Sequence, residues 1–352
     1  MLGCGGRLAA GVLPIVACVR PQITTRTDSV WRSNEAKKTN ATLTTLVHIS
    51  ITVSTRIWIS TIKFIFLISK KKSPPKPNSV FTMAVPTRDT LHFSPSSSNQ
   101  IDPYLPNTKP TPHGKPYVTL TFATSLDSQL SLAPGVQTAL SGPESKAMTH
   151  YLRSKHDAIL IGVGTAEADN PSLNCRIAGV GGYGGEGLDG QPRPVVIDPR
   201  GRWRFTAESK VLRLAREGKG RAPWVFTRAP LDEERTALLE SVGGRVVVAD
   251  GQDGAEWRIS WKYVLDVLGS WDIGSVMIEG GGAVINDLLA PENIDLVDAV
   301  IVTIAPTWLG KGGVQVCPDA RVDGGTRLPV ARLTNVKWIP LGDDVVLCGS
   351  PS

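Results

Sequence analysis

Paired cysteines are missing from this chain. Its five cysteines (Cys4, Cys18, Cys175, Cys317 and Cys348) form no CxxC unit and no metal-type spacing, which argues against both a disulfide framework and a zinc site. An odd, scattered set points to a reducing compartment, read here as the cytoplasm, and predicts that the last three are small buried apolar side chains. Also lacking is a window of about 20 uncharged apolar residues, the length a membrane-spanning helix needs. The most apolar stretch, residues 42–69, is interrupted by Arg56 and Lys63. The Lys-Ser/Thr ending of a P-loop is absent too. So is the third glycine of a G-x-G-x-x-G fingerprint, because Ile285 takes that position in VMIEGGGAVINDLLA, residues 276–290.

Acid is scarce at one end only. Residues 1–82 hold 12 of the 38 basic side chains but just two of the 32 acids, Asp28 and Glu35. The net charge of +6 therefore sits in this segment, and the rest of the chain is mildly acidic, which gives no case for nucleic-acid binding by the globule. KKKSPPKPNS breaks any structure, and MAVPTRDTLHF from Met83 reads like an ordinary chain start. Residues 1–82 are thus expected to be an upstream extension foreign to the native protein. The rival reading is a cleaved targeting segment or an anchor, since residues 1–35 have the Arg-bearing, acid-poor character of a mitochondrial presequence. Residues 83–115, rich in Pro and Ser, are expected as a flexible lead-in.

From Pro116 the pattern is regular. YVTLTFATS (117–125) alternates Val118, Leu120 and Phe122 like a strand. SGPESKAMTHYLRSK (141–155) has Ser141 and Glu144 spaced as a capping box, with Ala147, Met148, Tyr151 and Leu152 as its apolar stripe. DAILIGVGT (157–165) is apolar throughout, as in a strand buried on both faces, with Gly164 and Thr165 at its end. Further strands are expected at 194–198, 223–227, 245–250, 275–279 and 296–306, and helices at 209–217, 231–242, 260–270 and 283–290. Two β-rich pieces, ARLTNVKWIP and DDVVLCG, close the chain. This alternation predicts one α/β domain over 116–352, with a mostly parallel central sheet, helices on both faces and an antiparallel C-terminal edge. GVGGYGGEGLDG (179–190), with seven glycines in twelve residues, reads as a flexible surface insertion.

Three stretches carry candidate chemistry. In 276–290 the glycines let a backbone approach a ligand, and the helix that follows offers unpaired N–H groups to an anion; yet an anion, Glu279, precedes them. In GTAEADNPSLNCR (164–176), Thr165 and Asp169 lie where open α/β sheets place ligands, Asn170-Pro171 turns the chain, and Leu173 and Arg176 follow from a loop. The third is SLDSQLSLAPG (125–135), with Arg153 near the end of the helix that follows. Taken singly, these are equally a tight turn, solvated charges and a favourable cation at a helix C-terminus.

In this order the motifs TFATSLDSQLSLAPG, LSGPESKAMTHYLRSKHDAILIGVGTAEADNPSLNCR, RPVVIDPRGR and VMIEGGGAVINDLLA…VDAVIVTIAPTWLGKGG resemble the riboflavin-biosynthesis reductases. Within them they are most similar to the fungal stand-alone 2,5-diamino-6-ribosylamino-4(3H)-pyrimidinone 5′-phosphate reductases. The likeness covers about residues 104–349 and not 1–82. It implies a dihydrofolate-reductase-like fold, a homodimer, and NADPH-dependent reduction of a ribosylamino to a ribitylamino side chain, with hydride reaching C1′ of the ring-opened imine. The H-x-E and P-C-x-x-C motifs of the zinc deaminase carried by bifunctional relatives do not occur here, so neither deamination nor a metal is expected. By resemblance, Thr165, Asp169 and the turn Gly280, Gly281, Gly282, Ala283 and Val284 contact NADPH. Arg153, Leu173, Arg176 and Glu279 hold the phosphorylated substrate, and Arg200 or Arg202 meets the 2′-phosphate. No proton donor is assigned. Two positions depart from the family pattern: Ser128, where glycine is common, and Asn170, where a second Asp is common. Competing readings are a pteridine reductase on the same fold, a non-catalytic NADPH-binding protein, and a Rossmann dehydrogenase, the last disfavoured by Ile285.

Overall fold

The computed structural model describes residues 90–106, 114–249 and 257–352. All described residues belong to one compact unit, which lies within Val80–Ser352. The expectation for residues 1–82 lies outside them.

In chain order, α1 (Pro95–Ile101) and a short 3-10 turn precede β1 (Tyr117–Thr124), β2 (Gln129–Ser131), α2 (Pro143–Ser154), β3 (Ala158–Gly162) and α3 (Val163–Asp169). β4 (Arg193–Ile197), α4 (Lys210–Arg216), β5 (Trp224–Thr227), α5 (Glu233–Ser241), β6 (Arg245–Val248) and α6 (Trp261–Ser270) follow. Then come β7 (Ser275–Glu279), α7 (Gly282–Leu288), β8 (Ala299–Ile304), β9 (Val314–Gln315), β10 (Arg321–Asp323), β11 (Thr326–Leu328), β12 (Leu333–Leu341) and β13 (Asp344–Pro351). Nine strands form one sheet in the order β12-β13-β8-β1-β7-β3-β4-β5-β6. From β8 to β6 all pairs are parallel, and β13 and β12 add the antiparallel edge.

Strand alternation sorts the core into two sides. Ala158 and Leu160 of β3 pack with Val118, Leu120, Val276 and Ile278 against Val264 and Leu268 of α6 and Ile285 of α7. Ile159 and Ile161 point the other way, onto Val211 and Leu212 of α4 and Leu239 of α5. Met277 and Ile301 on that side meet Met148 and Leu152 of α2. A strand coated on both faces has no polar alternation to show, which is why AILI reads as an unbroken apolar run.

Four local expectations are corrected. The lead-in is not structureless throughout: Ser94 caps α1, its Oγ accepting the Ser97 N–H at 3.1 Å, and Ile101 and Leu105 are buried with Met148 and Ile339. The glycine-rich insertion is a knot of turns. Gly181 N–H donates to the Asp189 carbonyl at 2.7 Å, Gln191 Nε2 donates to the Gly181 carbonyl at 2.8 Å, and a Cβ on Gly185 would sit 2.2 Å from the Gly179 carbonyl oxygen. Glycine is needed there for close backbone approach. Cys175 and Cys348 are buried, but Cys317 is exposed.

The fourth correction concerns α2. Its N-cap is Gly142, and no side chain of the capping-box pair bonds there. A buried carboxylate from the far end of the chain does the work: Asp344 Oδ2 accepts the Gly142 N–H at 2.8 Å and the Ser145 hydroxyl at 2.6 Å. Asp344→Ala removes a cap, worth about 1 kcal/mol, and leaves a buried hydroxyl unpaired, about 1–3 kcal/mol. Denaturant unfolding is expected to show a loss of about 2–4 kcal/mol; an unchanged midpoint would refute the assignment.

Candidate active site

The chain moves outward from β3 to β6, then returns to insert β7 between β1 and β3 and to place β8 on the other side of β1. Ligands of open α/β sheets bind at such reversals, beyond the carboxyl ends of the strands. A cleft of about 590 Å³ opens there. Its floor includes Thr121 in the middle of β1, Glu279 at the end of β7 and Thr303 of β8, with Thr121 and Glu279 paired in register.

Glu279 does not face the cleft as a lone anion. Arg153 reaches it from the last turn of α2 and grips both carboxylate oxygens, Nε to Oε1 at 3.0 Å and Nη2 to Oε2 at 2.7 Å. The third edge of the guanidinium, Nη1, donates to the Asn174 carbonyl at 3.1 Å. Such a two-pronged pair fixes both groups more firmly than a single charge contact does. The side chains remain 11% and 22% exposed, so each keeps an edge on the cleft. This corrects the simple reading of Arg153 as a helix-end cation, and it explains how an acid stands beside a turn suited to anions.

Arg153 belongs to a polar row along α2. Lys146, Thr149, His150 and Arg153 all line the cleft, and their spacing of three, four and seven puts them on one face of α2. The apolar stripe of Met148 and Leu152 faces the core on the other side. The signal was present in the sequence, since polar residues at i, i+3, i+4 and i+7 opposite an apolar stripe define a second working face.

Thr165 and Asp169 also reach the cleft, but Thr165 does not end a strand. β3 stops at Gly162 and α3 starts at once, so Thr165 sits in the first turn of a helix. Burial pushes the Asp169 carboxyl up, with Lys210 opposing. Asn170 then takes the left-handed conformation at φ 42° and ends the helix, a role Asn tolerates. Ser128, the other departure from the family pattern, likewise has φ 60°, a conformation for which glycine is the unstrained choice. Leu173 differs from expectation. It borders the cleft, yet its side chain is 2% exposed and packs in the core with Ile159 and Val163, so it positions the loop. Arg176 lines the cleft and donates its backbone N–H to His150 Nδ1 at 3.1 Å.

That bond places the remaining proton of neutral His150 on Nε2. Burial, then Arg153, Arg176 and Lys146, lowers its pKa to about 2. His156, held between the Leu152 carbonyl at 2.7 Å and the Thr119 hydroxyl at 2.8 Å, is lowered by burial to about 4. Both depressed groups bind protons more readily in the unfolded chain, so their stabilisation is present above about pH 6.5 and is lost as pH falls toward these values. Unfolding free energy is expected to decline below about pH 6.5 with a slope of up to about 1.4 kcal/mol per pH unit per histidine. His150→Gln and His156→Gln, each assayed by denaturant titration across pH, are expected to flatten that slope; an unchanged slope in both would contradict it.

A second pocket of about 290 Å³ lies behind the cleft, lined by Gly164, Thr165, Arg202, Trp257, Trp261 and Val284 among others. Thr165 belongs to both pockets; Gly280 lines the cleft, and Gly281, Ala283 and Val284 line the second pocket. None of the three consecutive glycines has a positive φ, so they answer a need for space. A Cβ on Gly280 would lie 2.7 Å from Val284, and one on Gly281 would lie 2.9 Å from Thr165 Oγ1. Gly282 lines neither pocket; it is buried, and its Cβ would lie 2.4 Å from Val314 of β9. The absence of a side chain there therefore serves packing. Arg202 lines the second pocket, whereas Arg200 lies over the Trp257 ring at 5.7 Å.

Among the described residues no group of acidic, His or Cys side chains could hold a metal ion, and no helix is long and apolar enough to cross a membrane.

The comparisons with known proteins agree with this arrangement. Residues 116–347 match the model of the RibD C-terminal domain. The chain is 40% identical over 271 residues to a 2,5-diamino-6-ribosylamino-4(3H)-pyrimidinone 5′-phosphate reductase of Debaryomyces hansenii, covering 73% of this chain and 97% of that protein. With the reductase of that name from Saccharomyces cerevisiae it shares 39% identity over 248 residues, 70% of this chain and 91% of the relative. Among solved structures, the riboflavin biosynthesis reductase Rib7 of S. cerevisiae superposes with a TM-score of 0.56 at 33% identity, covering 73% of this chain and all of that one. With its nine-stranded, mostly parallel sheet and antiparallel edge of dihydrofolate-reductase type, the chain belongs to the RibD C-terminal domain family of reductases.

Proposed function

We propose that this chain reduces the ribosylamino group of 2,5-diamino-6-ribosylamino-4(3H)-pyrimidinone 5′-phosphate to the ribitylamino form with NADPH, as a step of riboflavin biosynthesis. The observation that carries the reading is the sharing of one wall, Thr165 with Gly280 and Gly281, by two pockets of different character. The larger bears the Arg153–Glu279 pair together with Lys146, Arg176 and Lys210. Its mixture of cations and an acceptor suits a ligand with a phosphate at one end and amino and hydroxyl donors at the other.

The second pocket fits a nicotinamide dinucleotide in its donor set. Space beside Gly164 is open, since a Cβ built there meets nothing within 4 Å, so the backbone can approach a ligand. Trp257 and Trp261 add aromatic surface to the lining, and the Arg202 guanidinium suits a 2′-phosphate. When bound, NADPH supplies the hydride. Thr165, Gly281, Ala283 and Val284 would hold it from the second pocket, and Asp169 and Gly280 would meet it from the cleft side of the shared wall, while Arg153 orients Glu279. The carboxylate lone pairs that Arg153 leaves unused accept hydrogen bonds from the sugar or the pyrimidinone amino groups. Burial of the cleft floor by Thr121, Thr303 and Phe122 keeps water from the reacting carbon. A homodimer and a cytoplasmic location belong to the same reading, supported by family membership and by the free thiols Cys175, Cys317 and Cys348.

The test is NADPH oxidation followed at its absorbance with the pyrimidinone ribosyl phosphate, and with dihydrofolate as control. Turnover with the first and none with the second is expected. The reverse pattern, or NADPH binding without oxidation of either, would overturn the proposal.

A further inference from the structure

At the end of the sheet opposite the cleft, the starts of β3, β4, β5 and β7 surround a cavity of about 440 Å³. It is separated from the cleft by the length of those strands, roughly 13–17 Å for five residues. Nothing in the reductase chemistry uses it.

Three guanidiniums crowd this place. Arg193 at the start of β4 lies over the Trp224 ring at 4.9 Å. Arg245 at the start of β6 lies over Trp271 at 4.5 Å and over Trp224 at 5.7 Å. The two indoles meet edge to face with centroids 5.0 Å apart, and Arg221 lines the same cavity. Among the described residues none of these arginines is in an ion pair. Arg193 donates one N–H, to the Ala222 carbonyl at 2.8 Å. Arg221 donates to the carbonyls of Gln191 at 2.8 Å and Leu188 at 3.4 Å. The other N–H groups of the two forks remain for a ligand.

The acids nearby do not balance them. Asp157 is committed to the start of β7, accepting the Gly274 N–H at 3.0 Å and the Ser275 hydroxyl at 2.9 Å, and Asp272 is exposed. Lys155 adds a further cation to the lining, and His156, lowered to about 4 by burial, is neutral. The mutual repulsion is visible at Arg193, whose pKa is lowered to about 10 by burial and then by Arg221 and Arg245. Like charges gathered in a half-enclosed cavity raise the free energy of the empty state, and an anion relieves it. Arginine forks match phosphate oxygens two at a time, and the volume is that of a small-ligand pocket.

We infer that this cavity is a second anion site, which takes a small phosphorylated anion on Arg193 and Arg221 with Arg245 at its rim. The test is calorimetric titration of the full chain, saturated with NADPH, with inorganic pyrophosphate and separately with uridine 5′-monophosphate. Saturable binding is expected, weakened about tenfold or more in Arg221→Gln and in Arg245→Gln, with kcat unchanged in both. Arg245 is exposed, and its backbone N–H, which bonds the Pro223 carbonyl at 3.2 Å, is untouched by a side-chain change, so Arg245→Gln keeps the fold, which its melting temperature verifies. Tighter binding of the nucleotide assigns an organic phosphate, and tighter binding of pyrophosphate an inorganic one. Equal affinity in wild type and both variants places the anion in the catalytic cleft, and that result or the lack of saturation on the order of 10 mM overturns the inference.

Discussion

Glu279→Gln is expected to lower kcat/KM for the pyrimidinone phosphate by about 10- to 100-fold, the worth of one hydrogen bond to a charged group, while NADPH affinity changes less than about twofold. Glu279 lines the cleft and not the second pocket, so its charge bears on the substrate. The substitution also spoils the grip of Arg153. An amide keeps one acceptor and presents an NH₂ donor to a guanidinium that now has two oxygens, at 3.0 and 2.7 Å. Breaking a buried pair from one side costs about 3–5 kcal/mol; with side chains 11% and 22% exposed, about 1–3 kcal/mol is expected here. Arg153→Lys separates charge from geometry, because an ammonium retains the charge but cannot bridge two oxygens in one plane. It is expected to lower kcat/KM in the same direction with NADPH affinity intact. Steady-state kinetics and cofactor titration by fluorescence check both variants. Loss of NADPH affinity with normal turnover at saturation would falsify the assignment of Glu279 to the substrate side.

Gly280→Ala is expected to weaken NADPH binding about tenfold or more and to cost about 1–3 kcal/mol of stability, the range for one methyl forced into packed space. The new Cβ would lie 2.7 Å from both Cβ and Cγ1 of Val284. Val284 lines the second pocket and is also wedged against Gly162, whose own Cβ would lie 2.9 Å away. It cannot retreat toward β3, so the start of α7 must shift, and with it the wall that the two pockets share. The double variant Gly280→Ala/Val284→Gly removes both obstructing atoms and is expected to recover part of the stability, less about 1 kcal/mol for a glycine inside a helix. If the single variant binds NADPH like wild type, the glycine is not there for close packing. If the double variant is no better folded than the single one, the obstruction lies elsewhere.

The sheet and its helices were legible because their signals are local. SVMIE is β7 to the residue, and the closing pair of β-rich pieces is the antiparallel edge. The site was legible as a list: Thr165, Asp169, Arg153, Arg176, Glu279 and Gly280 do line one cleft. What each does to the others was not. Arg153 and Glu279 are 126 residues apart, and no periodicity reports that one neutralises the other. The cap of α2 waited on Asp344, about 200 residues on, in place of the capping box written beside it. Nor did the sequence report that Leu173, which borders the cleft, is also packed in the core, or that Gly282 is pressed against Val314. The glycine-rich insertion was misread for a related reason, since composition records the freedom of a glycine and not the backbone that closes on it.

Order along the chain, through its repeated strand and helix periods and its motifs, determined the fold class and the family. Tertiary structure alone decided which charges cancel, which glycines make room and for what, and that arginines from separate strand starts meet unpaired at the far end of the sheet. The physical reason is range. Backbone periodicity is set by neighbours within a turn or a strand, whereas ion pairs, caps and close approaches depend on side chains that only the folded sheet brings within about 3 Å of each other.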